Sequence, residues 1–149
     1  MAKRMIFSLT VASFVFLFGI QLSKAQDKKV VEPFAMTDGT SSTFDLKKQK
    51  NKKAVVVFFT SSNCAFATRY VDRMNALHAA FKDKDVSFAA INANDANLSQ
   101  RDAEGLMRQY SPFSFPYLKD NSQEIARNFG AKLSPDVFVL QPKGDQFVI

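Results

Sequence analysis

The one cysteine of this chain, Cys64, stands where a thiol could do chemistry. It follows the apolar run AVVVFFT at residues 54–60 and precedes a segment with helical spacing. A cysteine at the start of a helix lies near unpaired backbone N–H groups and the positive end of the helix dipole, and both favour thiolate over thiol. Ser61, Ser62 and Asn63 add polar groups beside it without adding charge. These features predict a nucleophilic Cys64. The alternative is a small apolar core residue.

No second reactive group accompanies this cysteine in the sequence. His78, the one histidine, follows Cys64 by nearly four helical turns, so proximity on the helix cannot form a Cys–His pair. One cysteine and one histidine also make a metal site improbable, and we expect no metal. The five glycines form no phosphate-binding loop, so no cofactor is expected. The acidic side chains of Asp95, Asp102 and Glu104 are predicted to be solvated.

The elements that position Cys64 follow from the apolar pattern. Residues 54–60 and 86–92 are continuous β-branched and aromatic runs, typical of strands buried on both faces. Between these strands, apolar residues recur at three- and four-residue intervals: Ala67, Val71, Met74, Leu77 and Phe81. This spacing predicts one helix of about five turns, beginning near Cys64.

The remaining segments complete an α/β domain. Turn residues between 34–36 and 43–46 predict a β-hairpin, and a second helix is expected over 98–110, capped by Ser99 with Leu106 and Tyr110 facing inward. A short helix should run from Ser122 to Gly130. A strand at 136–140 leads through a Pro-Lys-Gly-Asp turn into another. Because this turn is too short for a crossover, the last two strands should be antiparallel in a mixed sheet with helices on both faces.

Residues 1–25 form a separate segment. It opens with two basic residues, continues as a largely apolar run from Met5 to about Leu22, and ends with Ser-Lys-Ala before Gln26. This layout predicts a cleaved signal peptide and a periplasmic or secreted protein; a retained membrane anchor is the alternative. A single cysteine outside the cytosol cannot form an internal disulfide.

The charge of the chain gives no support to nucleic-acid binding. Three of the 20 basic residues and none of the 14 acidic ones fall in residues 1–25, which leaves a net charge of +3 for residues 26–149. The one basic run, KKQKNKK at residues 47–53, has no interleaved aromatic side chains that could stack on bases. A solvated turn is therefore the better interpretation of this run.

Four stretches together carry a family resemblance: VVVFFTSSNCAFA, VSFAAINAND, FPYLKDNSQEIARNFGA and LSPDVFVLQPKG. Through them, about residues 30 to 149 resemble the thioredoxin-like superfamily, and specifically the redoxin group related to alkyl hydroperoxide reductase and thiol-specific antioxidant proteins. The resemblance implies a thioredoxin-like domain over residues 26–149 with an N-terminal β-hairpin extension. The family's closing helix would follow Ile149, so we expect either a truncated domain or an exposed apolar surface at residues 147–149.

The resemblance also implies the site. Cys64 corresponds to the attacking thiol, and Pro135 to a proline that is usually cis and stands beside this thiol. The backbone of Ser134 would then offer a pairing surface to an extended substrate, with Ser62 and Asn63 as further substrate-binding residues.

The departures from the family pattern concern the resolving thiol. Ala67 replaces the second cysteine of Cys-x-x-Cys, and Ala65 and Leu133 replace the proline and cysteine of close relatives. The peroxiredoxin pattern is also incomplete, with Val57 for its proline and Ser61 for its threonine. A lone thiol needs an external reductant.

Three functions remain open at this point. The first is a monothiol oxidoreductase, in which Cys64 forms a mixed disulfide with a client protein or small thiol. The second is a one-cysteine peroxidase, in which a small peroxide oxidises Cys64 to sulfenic acid. The third is a non-catalytic interaction module that keeps the cysteine.

Overall fold

The computed structural model describes residues 29–38 and 43–149. The strands are β1 (Val30–Val31), β2 (Ala35–Thr37), β3 (Thr43–Asp45), β4 (Ala54–Thr60), β5 (Val86–Asn92), β6 (Tyr117–Lys119), β7 (Asp136–Lys143) and β8 (Gln146–Val148). The α-helices are α1 (Ala65–Thr68), α2 (Val71–Phe81), α3 (Met107–Tyr110) and α4 (Glu124–Phe129), and 3-10 turns cover Leu46–Gln49 and Gln100–Asp102. The predicted signal peptide lies outside the described residues, as does the tip of the hairpin, residues 39–42.

Six strands form one mixed sheet in the order β1-β8-β7-β4-β5-β6, and β2 pairs with β3 in a separate antiparallel hairpin. In the sheet, β4 is parallel to β5 and antiparallel to β7, while β7 and β8 are antiparallel neighbours. The predicted hairpin, mixed sheet and final antiparallel pair are therefore confirmed. The strand predicted at 136–140 continues to Lys143, because it pairs with β8 beyond that point.

Alternate residues of the central strands point to opposite faces of the sheet and build two cores. On one face, Val55, Val57 and Phe59 of β4 pack with Phe129 of α4 and with Phe44 of the hairpin. On the other face, the core combines strand residues with residues of α2, α3 and the segment before β6: Val56, Phe58, Phe88, Ala90, Tyr117, Val71, Met74, Met107, Phe113 and Phe115. Helices thus cover both faces, as expected.

The helix predicted to begin near Cys64 is two helices. A turn at Arg69 and Tyr70 separates α1 from α2, so the thiol lies at the start of a single helical turn rather than at the start of a long helix. The apolar stripe is also shorter than predicted: Val71 and Met74 are buried, whereas Leu77 is 41% exposed. An apolar spacing can continue across two separate helices, and so it did not reveal the turn.

The segment 98–110 also differs from the prediction. It contains a 3-10 turn and the four-residue α3, and Ser99 makes no side-chain cap. Leu106 and Tyr110, expected to face inward, are exposed at the surface, and Met107 is buried in their place.

Of the three residues expected to border an exposed apolar surface, Ile149 is exposed, whereas Phe147 and Val148 are buried. A larger exposed apolar area lies on β7, where Val137 and Val139 are about half exposed. These two valines pair with Phe58 and Val56, which places them on the α2 side of the sheet. Within the described part of the chain, no helix has the length and apolar character needed to cross a bilayer.

Candidate active site around Cys64

Cys64 lies in the loop between β4 and α1, at the N-cap of α1. Its backbone is extended, with φ −91° and ψ 111°, and its carbonyl accepts a hydrogen bond from the Thr68 N–H at 3.0 Å. The side chain is partly exposed and forms no disulfide. A partly exposed thiol on a short loop is accessible to a reaction partner.

The fold brings the 134–135 segment to this thiol from 70 positions along the chain. The Cys64 Sγ–H donates a hydrogen bond to the Ser134 carbonyl at 3.2 Å. The Ser134–Pro135 peptide bond is cis. Ser134 is exposed and Pro135 partly exposed, and both lie where β7 begins. Cys64, Ser134 and Pro135 therefore form one surface-accessible group.

The structure separates the two other residues expected to bind substrate. Asn63 is exposed beside Cys64, and its N–H donates to the Ser61 Oγ at 3.2 Å. Ser62 is only 2% exposed, and its hydroxyl faces the interior. That hydroxyl contacts the Met107 carbonyl at 3.0 Å and the Tyr117 hydroxyl at 2.9 Å. The buried side chain of Ser62 thus anchors the Cys64 loop to the protein interior and is not presented at the surface.

Asp102, predicted to be a solvated acid, is fully buried beneath the Cys64 loop, and that prediction is wrong. Its Oδ1 accepts hydrogen bonds from the Ser62 N–H at 2.7 Å, from the Asn92 amide at 2.7 Å and from the Ser61 hydroxyl at 3.0 Å. Its Oδ2 accepts from the Asn94 amide at 2.8 Å. A carboxylate accepts hydrogen bonds at both oxygens, and here the loops after β4 and β5 supply the donors.

These hydrogen bonds determine the charge state of the acid. Burial alone would raise the pKa of Asp102, but the bonds from Asn94, Asn92, Ser61 and the Ser62 backbone together outweigh it and hold this pKa below its ordinary value. Asp102 is therefore an anion at neutral pH, and it ties together three segments of the site.

The same cluster continues to β6 through Tyr117 and Lys119. The Asn92 amide donates to the Tyr117 hydroxyl at 3.1 Å, and burial raises the pKa of Tyr117 to about 12, so this hydroxyl stays protonated. The Lys119 ammonium donates to the Asn94 carbonyl. Burial lowers the pKa of Lys119, while the charge of Asp102 opposes that effect.

One signal in the sequence could have identified this cluster. Thr60-Ser61-Ser62 and Asn92-Ala93-Asn94 each begin with the last residue of a strand predicted to be buried, and the structure pairs these two strands in parallel. Their polar side chains meet at the carboxyl edge of the sheet, and buried donors require an acceptor. The acceptor is Asp102, 10 residues beyond Asn92 and 40 beyond Ser62.

The lowered pKa of Asp102 predicts that the folded protein loses stability in acid as this carboxylate becomes protonated. The unfolded chain protonates this carboxylate at a higher pH than the folded protein does. The carboxylate therefore contributes fully to the free energy of unfolding at pH values above its pKa in the unfolded chain. This contribution is lost as the pH falls through its pKa in the folded protein, which lies below the ordinary value of about 4. We expect the urea midpoint to fall between about pH 5 and pH 3 less steeply in Asp102→Asn than in the wild type. Equal slopes would contradict this assignment.

His78 lies apart from this cluster. Its Nδ1 is 3.0 Å from the Ser114 hydroxyl, and its ring packs edge-on against Phe88 and Phe115. It is a boundary residue of the α2-side core. Across residues 29–38 and 43–149, no three histidine, cysteine or acidic side chains gather as a metal site would require.

Comparisons with known proteins agree with this architecture. The chain is 26% identical over 121 residues to the thiol-disulfide oxidoreductase ResA of Bacillus thuringiensis, covering 81% of this chain and 67% of that protein. A solved structure of an uncharacterised conserved protein from Geobacillus kaustophilus is 28% identical with a TM-score of 0.73, covering 82% of this chain and 66% of the other.

A more distant likeness concerns the fold alone. A secreted Mycobacterium tuberculosis disulfide oxidoreductase superposes with a TM-score of 0.60 at 18% identity, covering 78% of this chain and 80% of its own. The sequence profile of the AhpC/TSA family matches residues 25–145. The chain therefore belongs to the AhpC/TSA family, with a thioredoxin-like fold.

Proposed function

We propose that this protein is an exported thiol-disulfide oxidoreductase that acts through a single nucleophilic cysteine, Cys64. The observation that carries the proposal is the position of the Cys64 thiol, partly exposed and 3.2 Å from the carbonyl of Ser134. The thiol-disulfide oxidoreductases among its relatives support the reaction class. Export rests on the signal-like residues 1–25.

The reaction is a thiol–disulfide exchange. The Cys64 thiolate attacks one sulfur of a client disulfide, the client S–S bond breaks, and the departing client thiolate takes up a proton. Cys64 is then joined to the other client sulfur in a mixed disulfide. Because the chain has one cysteine, an external thiol must attack this bond, take over the client sulfur and return Cys64 to its reduced form.

The surroundings of the sulfur fit an extended polypeptide client. Ser134 is exposed beside the thiol, and Asn63, next to Cys64 in the sequence, is exposed as well, so both residues can contact an extended peptide. Phe66 is 71% exposed and Leu133 is 73% exposed, and each is close in sequence to a residue of this site. We assign Ser62 a positioning role, since its side chain is buried under the loop.

The test compares the native thiol with the same thiol in unfolded protein. Reduced protein is mixed with a disulfide-bonded, unstructured peptide, and the mixed disulfide is followed by intact mass. We expect native protein to react at least about tenfold faster than protein in urea, because the folded site presents the sulfur beside exposed residues that can hold an extended peptide. The variant Cys64→Ser should form no adduct and should keep the circular dichroism spectrum of the wild type. A small thiol added to the wild-type adduct should release the peptide.

Two other outcomes would contradict the proposal. A native rate no higher than the unfolded rate would leave only an interaction module. Sulfenic acid trapped after substoichiometric hydrogen peroxide, with no peptide adduct, would indicate a one-cysteine peroxidase. The contact that the sulfur makes is with a carbonyl oxygen, which is an acceptor, whereas polarising a peroxide needs donors.

A further inference from the structure

A cavity of about 300 Å³ opens beside the active loop, between the ends of β4 and β5 and the segment before β7. Cys64 is not part of its wall, but two of its contacts are. Ser134, whose carbonyl lies 3.2 Å from the sulfur, lines the cavity. Ser61, whose carbonyl accepts the Cys64 N–H at 3.1 Å, lines it as well. A ligand held here would therefore lie next to the sulfur.

The charged side chains that line the cavity are both positive. Arg127 and Lys132 line the cavity, and no aspartate or glutamate does. The Arg127 guanidinium donates to the Ser122 carbonyl at 2.7 Å, which fixes its position and leaves its charge unneutralised. In the described ranges, neither cation forms an ion pair. A cavity with two such cations favours an anionic ligand.

We infer that this cavity binds the carboxylates of a small anionic thiol or disulfide, and that this compound is the external partner of Cys64. The inference rests on the proposed function, which needs an external thiol, and it identifies that thiol as a small anionic compound. A volume of about 300 Å³ accommodates part of a tripeptide-sized molecule. Arg127 and Lys132 act as binding residues, and they leave the thiol chemistry to Cys64.

The small thiol acts on the mixed disulfide that Cys64 forms with the client. Its thiolate attacks the client sulfur, the Cys64–client bond breaks, and Cys64 leaves as a thiolate that takes up a proton. A second molecule of the small thiol then attacks the new bond at the sulfur of the first, so that the client leaves as a thiol and the small disulfide forms. Two small thiols are oxidised and one client disulfide is reduced. The small disulfide can probe the same cavity, because Cys64 attacks one of its sulfurs while the other half leaves as a thiolate that takes up a proton.

The experiment compares two disulfide reagents, one anionic and one neutral, and only the reaction of the anionic one should depend on the cavity. Glutathione disulfide is anionic, and bis(2-hydroxyethyl) disulfide is neutral. We expect the double variant Arg127→Gln/Lys132→Gln to react about tenfold more slowly with glutathione disulfide and within about twofold of wild type with the neutral reagent. The rates are read as adduct formation by intact mass.

A matched control removes the same charge elsewhere. Lys48 and Lys53 are exposed lysines outside the cavity, and Lys48→Gln/Lys53→Gln should leave both rates unchanged within about twofold. An equal loss in both double variants would reduce the effect to net charge and overturn the inference, as would an unchanged rate in Arg127→Gln/Lys132→Gln. Either result leaves the proposed function intact, because that function is tested separately by the reaction of native and unfolded protein with the disulfide-bonded peptide.

Discussion

Asp102→Asn is expected to lower the free energy of unfolding by about 3 kcal/mol. The carboxylate accepts hydrogen bonds from four groups at once: the Ser61 hydroxyl, the Ser62 N–H and the side-chain amides of Asn92 and Asn94. An asparagine has a single acceptor oxygen, so whichever way its amide turns, an NH2 group faces donors that lose their partner. Leaving buried donors unpaired and removing charge-assisted bonds costs several times the value of an ordinary surface contact. Urea unfolding followed by circular dichroism measures the change.

Glu104→Gln is the matched control for this substitution. Glu104 is exposed two residues further along the same loop, and the change from carboxylate to amide is the same. We expect it to alter the free energy of unfolding by less than about 0.5 kcal/mol. A loss below about 1 kcal/mol in Asp102→Asn would mean that the hydrogen bonds around this residue do not stabilise the fold.

The substitution Ala67→Cys is expected to shorten the lifetime of the mixed disulfide between Cys64 and a client peptide. Residue 67 lies on α1 three positions after Cys64 and is fully buried. Helical residues three apart are near enough for a disulfide between their sulfurs. A thiol at this place competes at an effective concentration in the millimolar range, far above micromolar external thiol. Client peptide should therefore be released, and the adduct should fall below about a tenth of its wild-type level.

A second thiol placed elsewhere serves as the control. Ala76 is exposed in the middle of α2, a different helix from the single turn that follows Cys64, and Ala76→Cys adds a cysteine away from the mixed disulfide. Its Cys64 adduct should persist as in the wild type. If the adduct also persisted in Ala67→Cys, the sulfur of Cys64 would be turned away from α1 after reaction, and the internal release route would be closed.

The parts of the fold that the sequence predicted correctly depend on local patterns. The apolar runs of β4 and β5 have no competing helical period, and they lie at the predicted positions in the sheet. Gly130 ends α4 with a positive φ of 74°, a conformation that glycine adopts at little cost. The family resemblance, with its own local motifs, added the thioredoxin-like fold, which the comparisons confirm.

The incorrect predictions have a common cause. Whether an acid such as Asp102 is solvated depends on donors that arrive from segments up to 41 positions away, and no local pattern records their arrival. The turn at Arg69 and Tyr70 is hidden for a related reason, since an apolar stripe is set by the surface it covers and continues across a break in the helix. Tertiary contacts decided both cases.

The turn between α1 and α2 has a mechanical consequence for the thiol. Because α1 is a single turn, one main-chain bond from Thr68 to Cys64 closes it, while α2 remains anchored on the sheet through Val71 and Met74. The loop before α1 is held as well, by the bond from the Ser62 N–H to Asp102, and Ala67 of α1 is fully buried. The sulfur therefore lies on a short turn that is braced at both ends, so a client must fit the surface around Cys64 as it stands.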